Sequence, residues 1–309
     1  GGGGGGSSAT LTVAEATAQL DSLLEQTAEI TPDTAQAVTS FVSSLLDKAL
    51  VGASDVGTAL DSKSVARLQS SVAALATAAT PDAGELTLLS PNMNVSTAAF
   101  TTVDELTSTP VRCPSGAADE AAVALPSGLL DVMAGSGFNP ALPVSTLLYV
   151  TSASLHGANA AVEAPGASAS PSDAPSATAN TGAQLRTRRA LSPGVASNTS
   201  AAPRVAGPMV SFSLLQAGSE LKVSGAASPI NITVPLATAL PATPSATALV
   251  CRWWDASGGG TWSSSGCSTV LDSASSAPAS SNGGAGGALR AVTCSCTHLS
   301  DFVVFEFPT

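Results

Sequence analysis

The chain divides by the period of its apolar positions. From residue 10 to about 80 they recur at helical spacing. Leu20, Leu23 and Leu24 fall on one face, Val38, Phe41, Val42 and Leu45 on a second, and Val65, Leu68, Val72 and Leu75 on a third. Thr31-Pro32 followed by Asp33 marks a helix start, with proline in the first turn and a carboxylate at the positive end of the dipole. Pro81 stops the third helix. Past Glu85 the runs shorten and are punctuated by Gly, Pro, Ser and Asn. Leu86–Leu89, Val144–Val150, Met209–Leu215 and Ile230–Leu236 read as strands of a sandwich. The expected class is α+β: a small N-terminal helical bundle, then a β-sandwich closed by a buried C-terminal strand.

Within that frame residues 1–8 are a flexible Gly/Ser leader, residues 9–82 a helical subdomain, and residues 83–309 a sandwich subdomain. Residues 157–203 are Ala, Ser, Pro, Gly and Thr with hardly a large apolar side chain, and residues 271–288 are a smaller stretch of the same kind. Such segments bury too little surface to offset their ordering entropy, so 157–203 is expected to be a disordered insertion in a loop. No internal repeat is visible. Opening on six glycines and closing on a strand-like run, the chain reads as a piece of a longer protein.

Composition narrows the function. The net charge of −11, with only 11 Lys and Arg, repels phosphate backbones and argues against nucleic-acid binding. No apolar run approaches the roughly 20 residues that span a bilayer. Aromatics are 4% of the chain, yet Trp253, Trp254, Trp262, Phe302, Phe305 and Phe307 gather at the C-terminal end, where the best-packed core is expected.

Cysteines gather there too. Four of the five (Cys251, Cys267, Cys294 and Cys296) lie in the last fifth of the chain, with Cys113 apart. Asn94, Asn198 and Asn231 each open an Asn-x-Ser/Thr sequon, so each is a candidate glycan acceptor. Together these features point to an oxidising, secretory setting. Cys294-x-Cys-x-His298 also carries zinc-type ligands, but zinc pairs usually place two or more residues between cysteines. Two disulfides are the favoured reading. Four cysteines permit three pairings. Cys294 with Cys296 is disfavoured, since alternate residues of a short strand point the same way.

His298 precedes Ser300 by two residues, across the Leu299 carbonyl. A histidine is usually structural, and His156 is read that way. On a tight turn, however, neutral His298 can accept the Ser300 hydroxyl proton. The oxygen then attacks the Leu299 carbonyl carbon, an N-to-O acyl shift that leaves a hydrolysable ester. Amide resonance opposes this, so the fold must strain or orient the bond. No Ser-His-Asp set or phosphate loop competes, and neither metal nor cofactor is called for.

At these residues the chain resembles a known family. Cys251-Arg-Trp-Trp254, Gly260-Thr-Trp-Ser-Ser-Ser-Gly-Cys267 and Cys294-Ser-Cys-Thr-His-Leu-Ser-Asp-Phe302 are similar to the GPS proteolysis motif of adhesion G-protein-coupled receptors and polycystin-family proteins. The helices and strands upstream resemble the enclosing GAIN domain, with weaker likeness at Ser90–Asn94 and Pro229–Pro235. The resemblance implies disulfides Cys251–Cys294 and Cys267–Cys296. It implies His298 as base, Leu299 as acyl donor and Ser300 as nucleophile, Ser standing for the more frequent Thr. Asp301 replaces a frequent Asn, and Cys113 has no partner in the pattern. It further implies an extracellular domain of a membrane receptor or polycystin-like channel, at the plasma or ciliary membrane. Its partners would be its own cleaved C-terminal fragment, the downstream membrane region and an extracellular ligand. The alternative is a non-cleaving scaffold or ligand-binding module of the same fold. Arg186-Thr-Arg-Arg189 reads either as a solvated basic run or as a furin-type protease site at Arg186, Arg188 and Arg189.

Overall fold

A computed structural model describes residues 30–51, 62–80, 84–115, 120–133, 137–152, 203–241, 247–257, 260–271 and 288–308, with Ala18 and Ser22. The helical stripe at Leu20–Leu24, His156, Arg186–Arg189, Asn198 and nearly all of the 157–203 and 271–288 segments lie outside them.

Two long helices come first, α1 (Pro32–Val51) and α2 (Ser62–Ala79). Thr31 caps α1, its hydroxyl 3.3 Å from the Thr34 amide, and Asp33 sits in the first turn. Ala35, Val38, Val42, Leu45 and Leu46 of α1 are buried, as are Leu68, Val72, Leu75, Ala76 and Ala79 of α2. Phe41 lies at the flank of its stripe and is 40% exposed.

Fourteen strands follow among the described residues: β1 (Glu85–Leu88), β2 (Met93–Phe100), β3 (Val111–Pro114), β4 (Glu120–Ala124), β5 (Val144–Thr151), β6 (Arg204–Val205), β7 (Met209–Gln216), β8 (Ser219–Leu221), β9 (Ile230–Pro241), β10 (Thr247–Asp255), β11 (Thr261–Ser263), β12 (Cys267–Val270), β13 (Ala288–Cys296) and β14 (Asp301–Pro308). Short helices α3 (Val103–Ser108) and α4 (Leu129–Met133) interrupt them. The first sheet runs β1-β2-β5-β7-β14-β10-β11, with β6 also on β14 and β8 on β7, and the second runs β12-β13-β9-β4-β3. Every pairing is antiparallel. The α+β class expected from the sequence is the class observed.

Two apolar layers result. Between the sheets, Val150, Phe212, Val234, Ile232, Val292, Phe302 and Val304 share one core. On the other face of the first sheet, α1 and α2 share a second core with Val95, Leu147, Trp262, Val303, Phe305 and Phe307. Strand β14 contributes to both because its side chains alternate across a sheet covered on each side. Asp301 through Phe307 are all buried. No helix among the described residues is long and apolar enough to cross a membrane.

Candidate cleavage site

Residues 297–300 form the turn that carries β13 from the second sheet into β14 of the first. Cys294 and Cys296 point inward from β13, while Ser295 points out and donates to Asn231 Oδ1 at 2.8 Å. Cys251 of β10 bonds Cys294, with Cα atoms 5.6 Å apart, and this bridge joins the two sheets. Cys267 of β12 bonds Cys296 on the directly opposed position of β13, with Cα atoms 4.1 Å apart. Sulfurs held in disulfides are not thiolates and cannot ligate zinc. Among the described residues no His, Cys, Asp or Glu cluster suits a metal. Cys113 of β3 is the free cysteine, fully buried. Burial, and then the Glu120 carboxylate, push its thiol up to about 12, so it stays protonated.

The turn is tied to three segments. The Thr297 amide donates to Gly266 O at 2.9 Å, and Ala226 N donates to Thr297 O at 2.9 Å. Leu299 N donates to Val223 O at 3.1 Å, and Phe212 N donates to Ser300 O at 3.4 Å. None of residues 297–300 has a positive φ, so the turn is held by orientation rather than by left-handed backbone strain. The Leu299 side chain packs on the inter-sheet core.

The imidazole of His298 lies edge-on to Trp253, ring centroids 4.2 Å apart, and tilted toward Phe302 at 6.1 Å. Trp253 is itself anchored, its indole N–H donating to Ser265 O at 2.7 Å. The glycines of the motif now have reasons. Gly266 sits at φ +72°, and a Cβ there would lie 2.8 Å from Thr297 Oγ1 and 3.4 Å from His298 Nδ1. Gly260, at φ +88°, lies under the Trp254 ring, where a Cβ would come within 2.2 Å of it.

His298 Nε2 is buried without a hydrogen-bond partner. Burial lowers the imidazole pKa from its ordinary 6.5, partly opposed by the Asp255 carboxylate, so the neutral base form prevails at neutral pH. Hydrogen bonding from the Ser257 side chain, and then from Ser257 N at 2.9 Å, lowers the Asp255 pKa, with a smaller contribution from His298. The Ser300 hydroxyl donates to Trp254 O at 3.0 Å. The turn thus carries the His298 imidazole and the Ser300 hydroxyl on either side of Leu299 in the chain, with the hydroxyl resting on a strand β10 carbonyl. A backbone acceptor leaves no side-chain signature, so neither Trp254 O nor the amides holding the turn could be found in the sequence.

The sequons separate. Asn94 is 8% exposed, its Nδ2 donating to Pro114 O at 2.8 Å and its Oδ1 accepting from Ser90 N at 2.9 Å. Reading Asn94 as a glycan acceptor does not fit this position, because Nδ2, the atom that would carry the glycan, is turned into the protein on Pro114 O and the residue is buried. Asn231 is exposed on the outer face of β9.

A two-sheet sandwich closed by a disulfide-framed His-Leu-Ser turn and a buried final strand defines the class. The family described as GPS: GAIN subdomain B matches residues 150–305, and the chain belongs to it. The comparison with curated proteins finds no match. Among solved structures, the full extracellular region of zebrafish Gpr126/Adgrg6 is similar, with a TM-score of 0.51 and 15% identity, covering 94% of this chain and 32% of that one. At that identity the likeness is one of fold, and the chain spans about a third of the other's length.

Proposed function

We propose that this domain cuts its own chain between Leu299 and Ser300. The observation that supports it is the turn itself, in which His298, with a buried imidazole nitrogen that has no hydrogen-bond partner, and Ser300, with its hydroxyl, stand either side of Leu299 in a backbone anchored to neighbouring segments. The Ser300 O–H turns from Trp254 O to His298, which takes the proton as Oγ bonds to the Leu299 carbonyl carbon. The tetrahedral adduct collapses by breaking the Leu299 C–N bond, and the imidazolium returns its proton to the departing Ser300 nitrogen. Water then hydrolyses the ester, leaving a Leu299 carboxylate and a Ser300 with free amine and hydroxyl. His298 ends as it began, and each molecule reacts once.

The cut strand would stay in place. Burying Phe302, Val303, Val304, Phe305 and Phe307 contributes on the order of 10 kcal/mol before ordering entropy. The product is thus a non-covalent pair, this domain and its own C-terminal fragment. Disulfides and family membership support an extracellular position, as part of a longer membrane receptor or polycystin-like channel. There the downstream membrane region and an extracellular ligand would be its partners. A second reading, a non-cleaving module, is favoured by one observation: the resting Ser300 hydroxyl bonds Trp254 O instead of the imidazole.

Intact mass under denaturing conditions separates the two. Self-cleavage expects two species, the second beginning at Ser300, and one full-length species for Ser300→Ala. A single uncut mass from folded, oxidised wild-type protein establishes the non-cleaving module instead.

A further inference from the structure

Strand β14 is held differently on its two edges. Along one edge Phe302–Pro308 pair without interruption with Trp253–Thr247 of β10. Along the other, Asp301 and Phe302 pair with Ser211 and Val210 of β7, whereas Phe305 and Glu306 pair with Val205 and Arg204 of β6. Between these pairs two β14 residues, Val303 and Val304, oppose four, Ala206–Met209, so the facing chain carries a two-residue bulge.

The bulge is tightly bonded. Ala206 N donates to Val304 O at 2.8 Å, and Ala206 O accepts from Ala237 N of β9 at 2.9 Å. One residue therefore bonds β14 and the opposite sheet together. Gly207 presses against β9, where a Cβ would lie 2.3 Å from Pro235 O. Beside it, Arg204 Nε lies 2.7 Å from Glu306 Oε2, the Glu306 side chain 8% exposed and the Arg204 side chain 70%. An exposed guanidinium thus caps a nearly buried carboxylate on the strand.

We propose that residues 204–208 are a latch that sets how readily the C-terminal half of β14 leaves the sandwich. The local hold stands on geometry alone, while its consequence for a released fragment rests on the self-cleavage reading. The latch runs directly into β7 at its C-terminal end. Its N-terminal end continues the Ala/Ser/Pro/Gly-rich 157–203 segment. Tension or a cut applied upstream of Arg204 acts on the latch before it acts on β7. Peeling it from that side breaks the Arg204–Glu306 pair, two ladder positions and the Ala206–Val304 bond, and leaves β7 paired.

The test is hydrogen exchange on the full oxidised chain, comparing residues 302–308 with β5 as reference. Ala206→Pro removes the donor to Val304 O and should accelerate exchange of 302–308 about tenfold, with β5 changed less than about twofold. Arg204→Ala strands a buried carboxylate, whereas Glu306→Gln removes its charge, so Arg204→Ala should accelerate exchange more than Glu306→Gln. Should Ala206→Pro fail to fold, that order between the two side-chain variants decides. Unchanged exchange at 302–308, or acceleration shared equally with β5, overturns the latch. Release of the fragment that begins at Ser300, followed by size exclusion, should rank the variants in the same order. A wild type that is never cut removes the self-cleavage reading and leaves the exchange test intact. A cut wild type with flat exchange removes only the latch.

Discussion

The two faces of β14 are buried by different means. Toward the second sheet, Phe302 and Val304 enter a core that the Cys251–Cys294 bridge crosses. Toward the helices, Val303, Phe305 and Phe307 rest on an aromatic series. Trp262 lies edge-on to both Phe305 and Trp254, and the Arg252 guanidinium sits 5.6 Å over the Phe307 ring. The first face is covalently registered to the turn at 297–300. The second has no crosslink and depends on packing. On the self-cleavage proposal, positioning of the groups in the turn and retention of the strand are therefore separable properties of one strand, each dominated by one face.

The sharpest way to break that comparison is on the packed face. Phe305→Ala should cost about 3–5 kcal/mol by losing buried area and leaving a cavity. The Leu299–Ser300 bond should still be cut, with the fragment released more readily. Chemical unfolding with intact mass reads both, and loss of cleavage with the fold kept would show that the two faces are not separable. Next comes the crosslinked face. Removing Cys251 and Cys294 together opens a loop of 43 residues and should cost about 2–4 kcal/mol. Here cleavage should fall as well, because β10 supplies Trp254 O and Trp253 to the turn; full cleavage in the double variant would refute that coupling. Thr31→Ala, at the exposed start of α1, should cost only about 1 kcal/mol through the lost α1 cap, and any change in cleavage rate would mean the helical layer reaches the site.

The smallest expected effect is in pH. The His298 pKa is lowered on folding, so the unfolded chain binds the proton more readily. Stability from this group is full above about 6.5 and is lost as pH falls below it. The cleavage rate should fall only at still lower pH, where the folded imidazole protonates. Asp255→Asn removes the charge that opposes the lowering and should move that fall lower again. A rate profile unaffected by Asp255→Asn would mean its carboxylate does not govern the base.

Much of this architecture was legible in the residues. The cap of α1 follows from its Thr-Pro-Asp start and the stripes of α1 and α2 from local periodicity, and the strands at Val144, Met209 and Ile230 follow from apolar runs long enough to cross a sheet. Other elements were hidden for physical reasons. β2 is Met-Asn-Val-Ser-Thr-Ala-Ala-Phe, and β4 is Glu-Ala-Ala-Val-Ala; small and polar side chains carry little pattern, and only burial between neighbours makes them strands. Asn94 looked like any sequon because its burial is a property of the packed state.

For the site, residue types at fixed spacing determined the chemistry that is available: a base, a carbonyl and a hydroxyl within three residues, with four cysteines and paired tryptophans nearby. What only the tertiary structure decided is where those groups point. The hydroxyl rests on Trp254 O, the imidazole on Trp253, and the turn hangs from Gly266, Val223, Ala226 and Phe212. Those contacts are between segments distant in the chain, and most are made by backbone atoms that every residue shares. No local pattern encodes them, so they exist only once both sheets have closed.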